Sequence, residues 1–364
     1  MIVNELTAIL EELAPLAYAE DFDNVGLLVG HPDMEVTGVL VTLDTLEAVV
    51  DEAIERKCNL IISFHPIIFG GLKKLNGHNY VERTVLKAIK HDIAIYSMHT
   101  ALDNCPWGVN AKISEILALT DTRILIPKTG TIKKLIVHVP QESEESVQTA
   151  LFTAGGGTIG NYSHCSFGVT GLGSFKPNAH ANPVKGHRGE VHVAKETQLH
   201  ITFPSDRESH IMQALFNSHP YEEVAYEITT LDNTNQNIGM GMIGRLQQPM
   251  EEAVFLDFLK ERMKASVIRH SALLGKKIQT VAVLGGSGAF AIANAKKAGA
   301  DIFVTADVKY HQFFEAEGKM IIADLGHYET EQFTKNLIVD YLTKKIPNFA
   351  IANSERITNP IKYY

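Results

Sequence analysis

The chain has 364 residues, 45% of them hydrophobic, so it can build a packed core and is neither disordered nor of low complexity. Lys plus Arg number 33 against 42 Asp plus Glu, and the net charge of -9 argues against nucleic-acid binding driven by phosphate neutralisation. The length suggests two domains, or one domain carrying a large insert.

The opening segment MIVNELTAILEELAP is acidic and reads as an amphipathic helix, without the basic head and apolar centre of a signal peptide. From Thr37, the strand-like TGVLVTL is followed by the helical LEAVVDEAIERK, then by NLIIS, the helix VERTVLKAIKH and the strand DIAIYSM. Strands alternating with helices of this length indicate βαβ units and a mainly parallel sheet. The same alternation returns with IQTVAVLG, helix AFAIANAKKAG, ADIFVT, helix VKYHQFFEAEG, KMIIAD and a long last helix from near His327. Between the two halves the pattern changes to IKKLIVHVP, helix EESVQTALFTAG, SFGVTGLGSF, QLHITFP, helix RESHIMQALFNS and VAYEITTL, a β-α-β, β-α-β order that resembles a small ferredoxin-like unit. The expected architecture is a two-lobed, mainly parallel α/β domain over residues 1–130 and 236–364, interrupted by an α+β insert over 131–235. The two lobes could be halves of one sheet, and the polar segment DNTNQN at 232–237 suits an exit linker.

No apolar run approaches the roughly 20 residues needed to span a bilayer. The cysteines, Cys58, Cys105 and Cys165, form no CxxC pair and offer neither a disulfide framework nor a thiolate zinc knuckle. A cytoplasmic protein without a membrane partner is expected. Against 3 cysteines stand 16 histidines, so a bound metal would be held by imidazole and carboxylate.

In open α/β sheets a ligand site lies beyond the carboxyl ends of the strands, where loops collect side chains from several βα junctions. After NLIIS come Phe64, His65 and Pro66; after DIAIYSM come His99, Thr100 and Asp103; after TVAVL come Gly285, Gly286, Ser287 and Gly288; after DIFVT come Asp307 and then His311; after MIIAD come His327 and Glu331. His327 and Glu331 are four apart at a helix start and so share a face. Two histidines, His65 and His327, with two carboxylates, Asp103 and Glu331, suit zinc, iron(II) or manganese. Asp103 could instead cap the helix expected near Pro106, a job better suited to Asn104. His99 and His311 are candidate proton carriers or further ligands. The Gly285–Gly288 turn could hold phosphate on backbone N–H groups, although it lacks a P-loop lysine and could simply allow tight packing. His219-Pro220-Tyr221-Glu222 is an unusual polar cluster before a strand; it could be a turn or face the main cavity.

Taken together, FDNVGLLVG (22–30), ISFHPIIF (62–69), HTALDN (99–104), GGGTIGNYSHCSF (155–167), HPYEEVAY (219–226), GGSGAF (285–290), DVKYH (307–311) and DLGHYETEQF (324–333) resemble the Nif-three-like family, whose members are often labelled GTP cyclohydrolase type-two homologues. The resemblance implies a two-lobed α/β domain with a two-metal site, interrupted in longer bacterial members by an α+β insert, and assembly into toroidal homohexamers. Residue by residue, it implies metal ligation by His65, Asp103, His327 and Glu331. The family's His-His-Pro motif is Phe64-His65-Pro66 here, so one ligand is lost: the second site is weakened, or His99 substitutes, or only one ion binds.

The function so implied is hydrolysis by metal-activated water, with one or two divalent ions per chain and a small-molecule substrate, a nucleotide or related heterocycle, whose phosphates the 285–288 turn would hold. The alternative is a non-enzymatic oligomeric adaptor or metal-handling protein that binds a regulatory partner.

Overall fold

The computed structural model describes residues 1–364 other than Gln236. The chain divides into two compact units, Met1–Pro127 with Gln236–Tyr364, and Lys128–Asn235.

The first unit contains two sheets rather than halves of one. In the five-stranded sheet, Val39–Thr42, Leu60–Ser63 and Ala94–Ser97 run parallel, Gly26–Val29 closes one edge antiparallel, and Ile351–Asn353 closes the other in parallel with Val39–Thr42. The three central strands are buried at every position, which is why they read as unbroken apolar runs rather than alternating ones. The six-stranded sheet has a parallel centre, Lys277–Ser287, Ile302–Ala306 and Ile321–Asp324, flanked by antiparallel strands Arg269–His270 and Asn235–Glu251, with Thr120–Lys128 at the far edge.

One apolar cluster joins the sheets. Val39, Leu60 and Ala94 from the first and Val281, Ile302 and Ile321 from the second pack with Leu6 and Leu10 of the helix Val3–Leu13, Phe255 of Glu252–Arg262 and Ile338 of Thr334–Lys345. Each such enclosed Val, Leu, Ile or Phe side chain contributes roughly 1.5–3 kcal/mol of transfer free energy, so the lobes are held in register by their shared interior.

Three segments differ from the sequence expectation. VKYHQFFEAEG forms a 3-10 turn, Tyr310–Ala316, rather than an α-helix, and AFAIANAKKAG is a 3-10 turn at Ala289–Ala291 followed by a short helix, Ile292–Lys297. The long last helix is broken into His327–Glu331 and Thr334–Lys345. Of the polar segment 232–237, Asp232 to Thr234 connect two strands and Asn235 already begins the next, while Gln236 lies outside the described residues.

The second unit is a four-stranded antiparallel sheet in the order Phe167–Phe175, His192–Pro204, Ile132–Pro140, Tyr226–Leu231. Along the chain its elements run β-α-β-β-α-β. Val147 and Leu151 of the helix Glu144–Thr153, and Ile211 and Leu215 of the helix Glu208–Ser218, pack against Leu135, Val137, Leu199, Ile201 and Phe203.

Candidate metal centre

The parallel strands of both sheets end at one place in the first unit. Leu60–Ser63 delivers His65, and the segment after Ile321–Asp324 delivers His327 and Glu331, 262 residues away from His65 in the chain. Gly326, with φ 98°, makes the turn that starts the helix carrying His327; a Cβ there would also lie 2.3 Å from Glu329 Oε2.

Three atoms converge. Glu331 Oε2 lies 3.1 Å from His65 Nε2 and 3.1 Å from His327 Nε2, and the two Nε2 atoms are 3.3 Å apart. Each imidazole is oriented through its other nitrogen: His65 Nδ1 is 2.8 Å from Asp44 Oδ1, and His327 Nδ1 is 2.7 Å from Asp307 Oδ2. Because a carboxylate only accepts, Nδ1 must carry the proton in both rings, and in the neutral rings the Nε2 lone pairs face Glu331. Oε2 then receives no hydrogen bond, an orphaned acceptor in a fully enclosed position.

Such a knot of lone pairs requires a positive charge. Without a metal it attracts protons. Burial alone would lower the basicity of His65, but Asp44 and Glu331 outweigh it and raise its pKa to about 9. For His327, burial is likewise outweighed by Asp307 and Glu331, which raise it to about 11. Burial would raise the pKa of Glu331, but His327 and His65 hold it down at about 2. The geometry also suits a metal: ligands about 2.0–2.2 Å from a tetrahedral ion are separated by about 3.3–3.5 Å, close to the three separations found here.

The remaining candidates are placed as follows. Asp103, at the end of the helix His99–Asp103, is half-buried, its enclosed Oδ1 has no hydrogen-bond partner, and burial followed by the charge of Glu331 pushes its carboxyl well above the usual range. It lies outside the three-atom set but within its electrostatic reach. Neither Asp103 nor Asn104 caps the next helix, which begins at Val109 behind Gly108; the Asn104 amide binds Tyr18 O and Glu20 Oε1 instead. His99 Nδ1 is 2.8 Å from Asp23 Oδ1, and its ring lies 5.3 Å from that of His65. His311 is exposed on the 3-10 turn, packed edge-on to Tyr310 and against Phe314, and is not brought into the cluster. Phe64 is fully enclosed in the core, with its ring against those of His65 and His99, and supplies no ligand atom.

Gly285 to Ser287 belong to a strand rather than a loop. Asn110 Oδ1 accepts from Gly285 N and Thr330 Oγ1 from Gly286 N, so two amides of the supposed phosphate cradle are already used. What the glycines allow is close approach. A Cβ on Gly286, at φ +67°, would lie 2.3 Å from Glu331 Oε1, and one on Gly288 would lie 2.2 Å from Thr305 Oγ1.

A cleft of about 350 Å³ opens over the cluster, lined by Asp44, His65, His99, His327, Phe69 and the C-terminal residues Asn359 to Ile361. Thr358 Oγ1 donates to Asp44 Oδ2 at 2.5 Å, and Ser287 donates to Asp307, so each histidine is braced by a carboxylate that is itself braced by a hydroxyl. Asp44 and Asp23 were not singled out as partners from sequence. Asp44 follows the strand Val39–Thr42, so the strand-end rule, applied to that strand as well, would have found it.

Fold and site thus define a mixed α/β protein with an imidazole–carboxylate cluster of the kind that suits a divalent transition ion. The chain belongs to the Duf34/NIF3 (NGG1p interacting factor 3) family, whose model matches residues 1–360. It is 40% identical over 365 residues to a Bacillus subtilis protein named GTP cyclohydrolase 1 type 2 homolog, covering 99% of this chain and 98% of that one. A Halalkalibacterium halodurans protein of the same name is 37% identical over 348 residues, covering 94% and 93%. Among solved structures, a Bacillus cereus protein related to NIF3 superposes with a TM-score of 0.86 at 36% identity, covering 100% of this chain and 99% of that one. A Staphylococcus aureus protein superposes with a TM-score of 0.78 at 28% identity, again covering 100% and 99%.

Proposed function

We propose that the cluster binds one divalent transition ion tightly and that the protein is a metal-dependent hydrolase of a small, nucleotide-like molecule. The observation that carries this reading is the convergence of His65 Nε2, His327 Nε2 and Glu331 Oε2 at 3.1–3.3 Å with their protons held on the far side of each ring. Three protein ligands leave a coordination position open, as in catalytic rather than structural zinc sites. An ion held there supplies Lewis acidity and a water acidified towards neutral pH.

The chain's own residues supply the rest. Asp44 and Asp307 fix the ligand rings and their tautomers. Asp103, outside the three converging atoms, lends negative charge to the site, its ionised form favoured once positive charge is present. His99, whose Nδ1 is taken by Asp23, keeps Nε2 for moving a proton in the cleft. Phe64 removes one ligand of a second ion. The names of the relatives in Bacillus subtilis and Halalkalibacterium halodurans make GTP the first substrate to test.

Metal analysis of protein purified without chelator should give about one ion per chain, lost in the His327→Ala/Glu331→Ala double variant. Incubation of the metal-loaded protein with GTP should yield formate above that variant's background. An unchanged metal content in the double variant overturns the site; no product overturns GTP as substrate. Under the adaptor reading, suggested by the interacting-factor name of the family, Glu331→Ala would leave partner binding intact.

A further inference from the structure

The His219-Pro220-Tyr221-Glu222 segment plays no part in the metal centre. Its Tyr221 and Glu222 line a cavity of about 750 Å³ wholly within the second unit, with Phe175, Glu196 and residues of the loop from Lys176 to Lys185. The volume falls in the range of small-molecule sites, in which a few placed polar groups set the ligand's orientation.

Among its polar lining groups, one carboxylate is enclosed. Glu196 is 92% buried (8% exposed) on the sheet strand His192–Pro204. Its Oε1 accepts the Tyr221 hydroxyl at 3.0 Å; among the described residues Oε2 accepts no hydrogen bond and Glu196 forms no ion pair. Gly173, on the neighbouring strand, makes room for it, since a Cβ there would lie 2.1 Å from Oε2. A buried carboxylate without a counter-charge is costly unless something positive and hydrogen-bonding meets it.

Beside it stand two aromatic rings, Phe175 and Tyr221, 5.9 Å apart and inclined at 59°. Electron-rich ring faces next to a carboxylate attract an organic cation. His219 is not that cation: its Nε2 donates to His138 O, its Nδ1 accepts from Tyr221 N, and it fixes the turn that places Tyr221. Nor is Lys185, which pairs with Glu142. Pro177, Ala181, Pro183 and Val184 add apolar wall, beside the exposed Lys176, Asn178 and His180.

We propose that this cavity binds a primary ammonium compound with an apolar or ring-bearing body, its ammonium group on Glu196 Oε2 and against the Phe175 and Tyr221 rings. A primary rather than quaternary ammonium is required because the open carboxylate oxygen needs an N–H donor. The site is independent of the metal centre.

The probe is phenethylamine, titrated calorimetrically into the full-length protein, with 2-phenylethanol as its uncharged counterpart. Saturable binding at one site per chain is expected, weakened about ten-fold or more by Glu196→Gln and several-fold by Phe175→Ala, and unchanged in His327→Ala/Glu331→Ala. Tyr221→Phe, which keeps the ring, should retain most of the affinity. Absence of saturable binding, equal binding of the alcohol, or affinity undiminished in Glu196→Gln overturns the proposal; the last is what general attraction to a chain of charge -9 would give. If Glu196→Gln fails to fold, undiminished affinity in Phe175→Ala overturns it instead.

Discussion

Asp44→Ala tests the logic of the metal centre without touching a ligand. The Asp44 carboxylate lies 2.8 Å from His65 Nδ1 and receives the Thr358 hydroxyl on its other oxygen. Its removal frees the His65 ring to rotate, lets the proton move to Nε2 where a metal would bind, and leaves two polar groups to find water. Loss of such an outer partner typically costs 10–100-fold in metal affinity, equivalent to about 1.4–2.8 kcal/mol. Competition with a chromophoric chelator measures the affinity directly, and Asp340→Ala, an exposed acid on the helix Thr334–Lys345, serves as the control. Thermal unfolding should show a modest loss of stability, since the Asp44 side chain is about one-third exposed and water replaces part of what is lost. Affinity within two-fold of the parent would refute the argument that Asp44 sets the tautomer and aim of His65.

Four further outcomes follow from the same geometry. Gly286→Ala should lower both thermal stability and metal affinity, by about 1–3 kcal/mol in stability, because its methyl group meets Glu331 Oε1 and its φ is +67°; an unchanged melting temperature would mean that the strand shifts freely. Metal binding at pH 7 should release protons, since His65 and His327 are raised to about 9 and about 11 and must give up their Nε2 protons; calorimetry in buffers of different ionisation enthalpy counts them, and zero release contradicts the raised basicity of the two rings. Burial raises and His99 and Thr100 lower the pKa of Asp23, with a net depression to about 2, so its contribution is complete above the unfolded value near 3.8 and is lost as pH falls towards 2. That contribution is about 2 kcal/mol, and Asp23→Asn should flatten the acid limb of the stability profile between pH 4 and pH 2. Phe64→His should raise the metal stoichiometry towards two per chain while lowering stability by about 1–3 kcal/mol, since it places an imidazole in the apolar core; a stoichiometry unchanged in the folded variant would show that position 64 does not limit the second ion.

Much of the site was legible because it obeys a local rule. His65, His99, His327 and Glu331 each follow a strand of unbroken apolar residues, and the i, i+4 spacing of His327 and Glu331 announces a shared helix face. The apolar runs were equally readable as parallel strands, since burial on both faces removes alternation. What local pattern could not reveal was pairing across the chain. The edge strand Ile351–Asn353 gains its meaning only by joining Val39–Thr42, more than 300 residues earlier. The Tyr310–Ala316 turn has helical composition, yet it takes up 3-10 geometry between Asp307, which must meet His327, and the strand Ile321–Asp324.

The sequence alone determined the residue types and their places at strand ends, because these depend only on period, spacing and chemistry within one segment; the loss of a histidine at Phe64 was visible only through the family resemblance. Tertiary structure decided that His65 and the His327–Glu331 pair meet, that Asp44 and Asp307 hold the protons away from the meeting point, and that Gly285 to Gly288 provide closeness rather than an open amide cradle. Those facts depend on two sheets sharing one apolar core, and no single segment records the distance between two others.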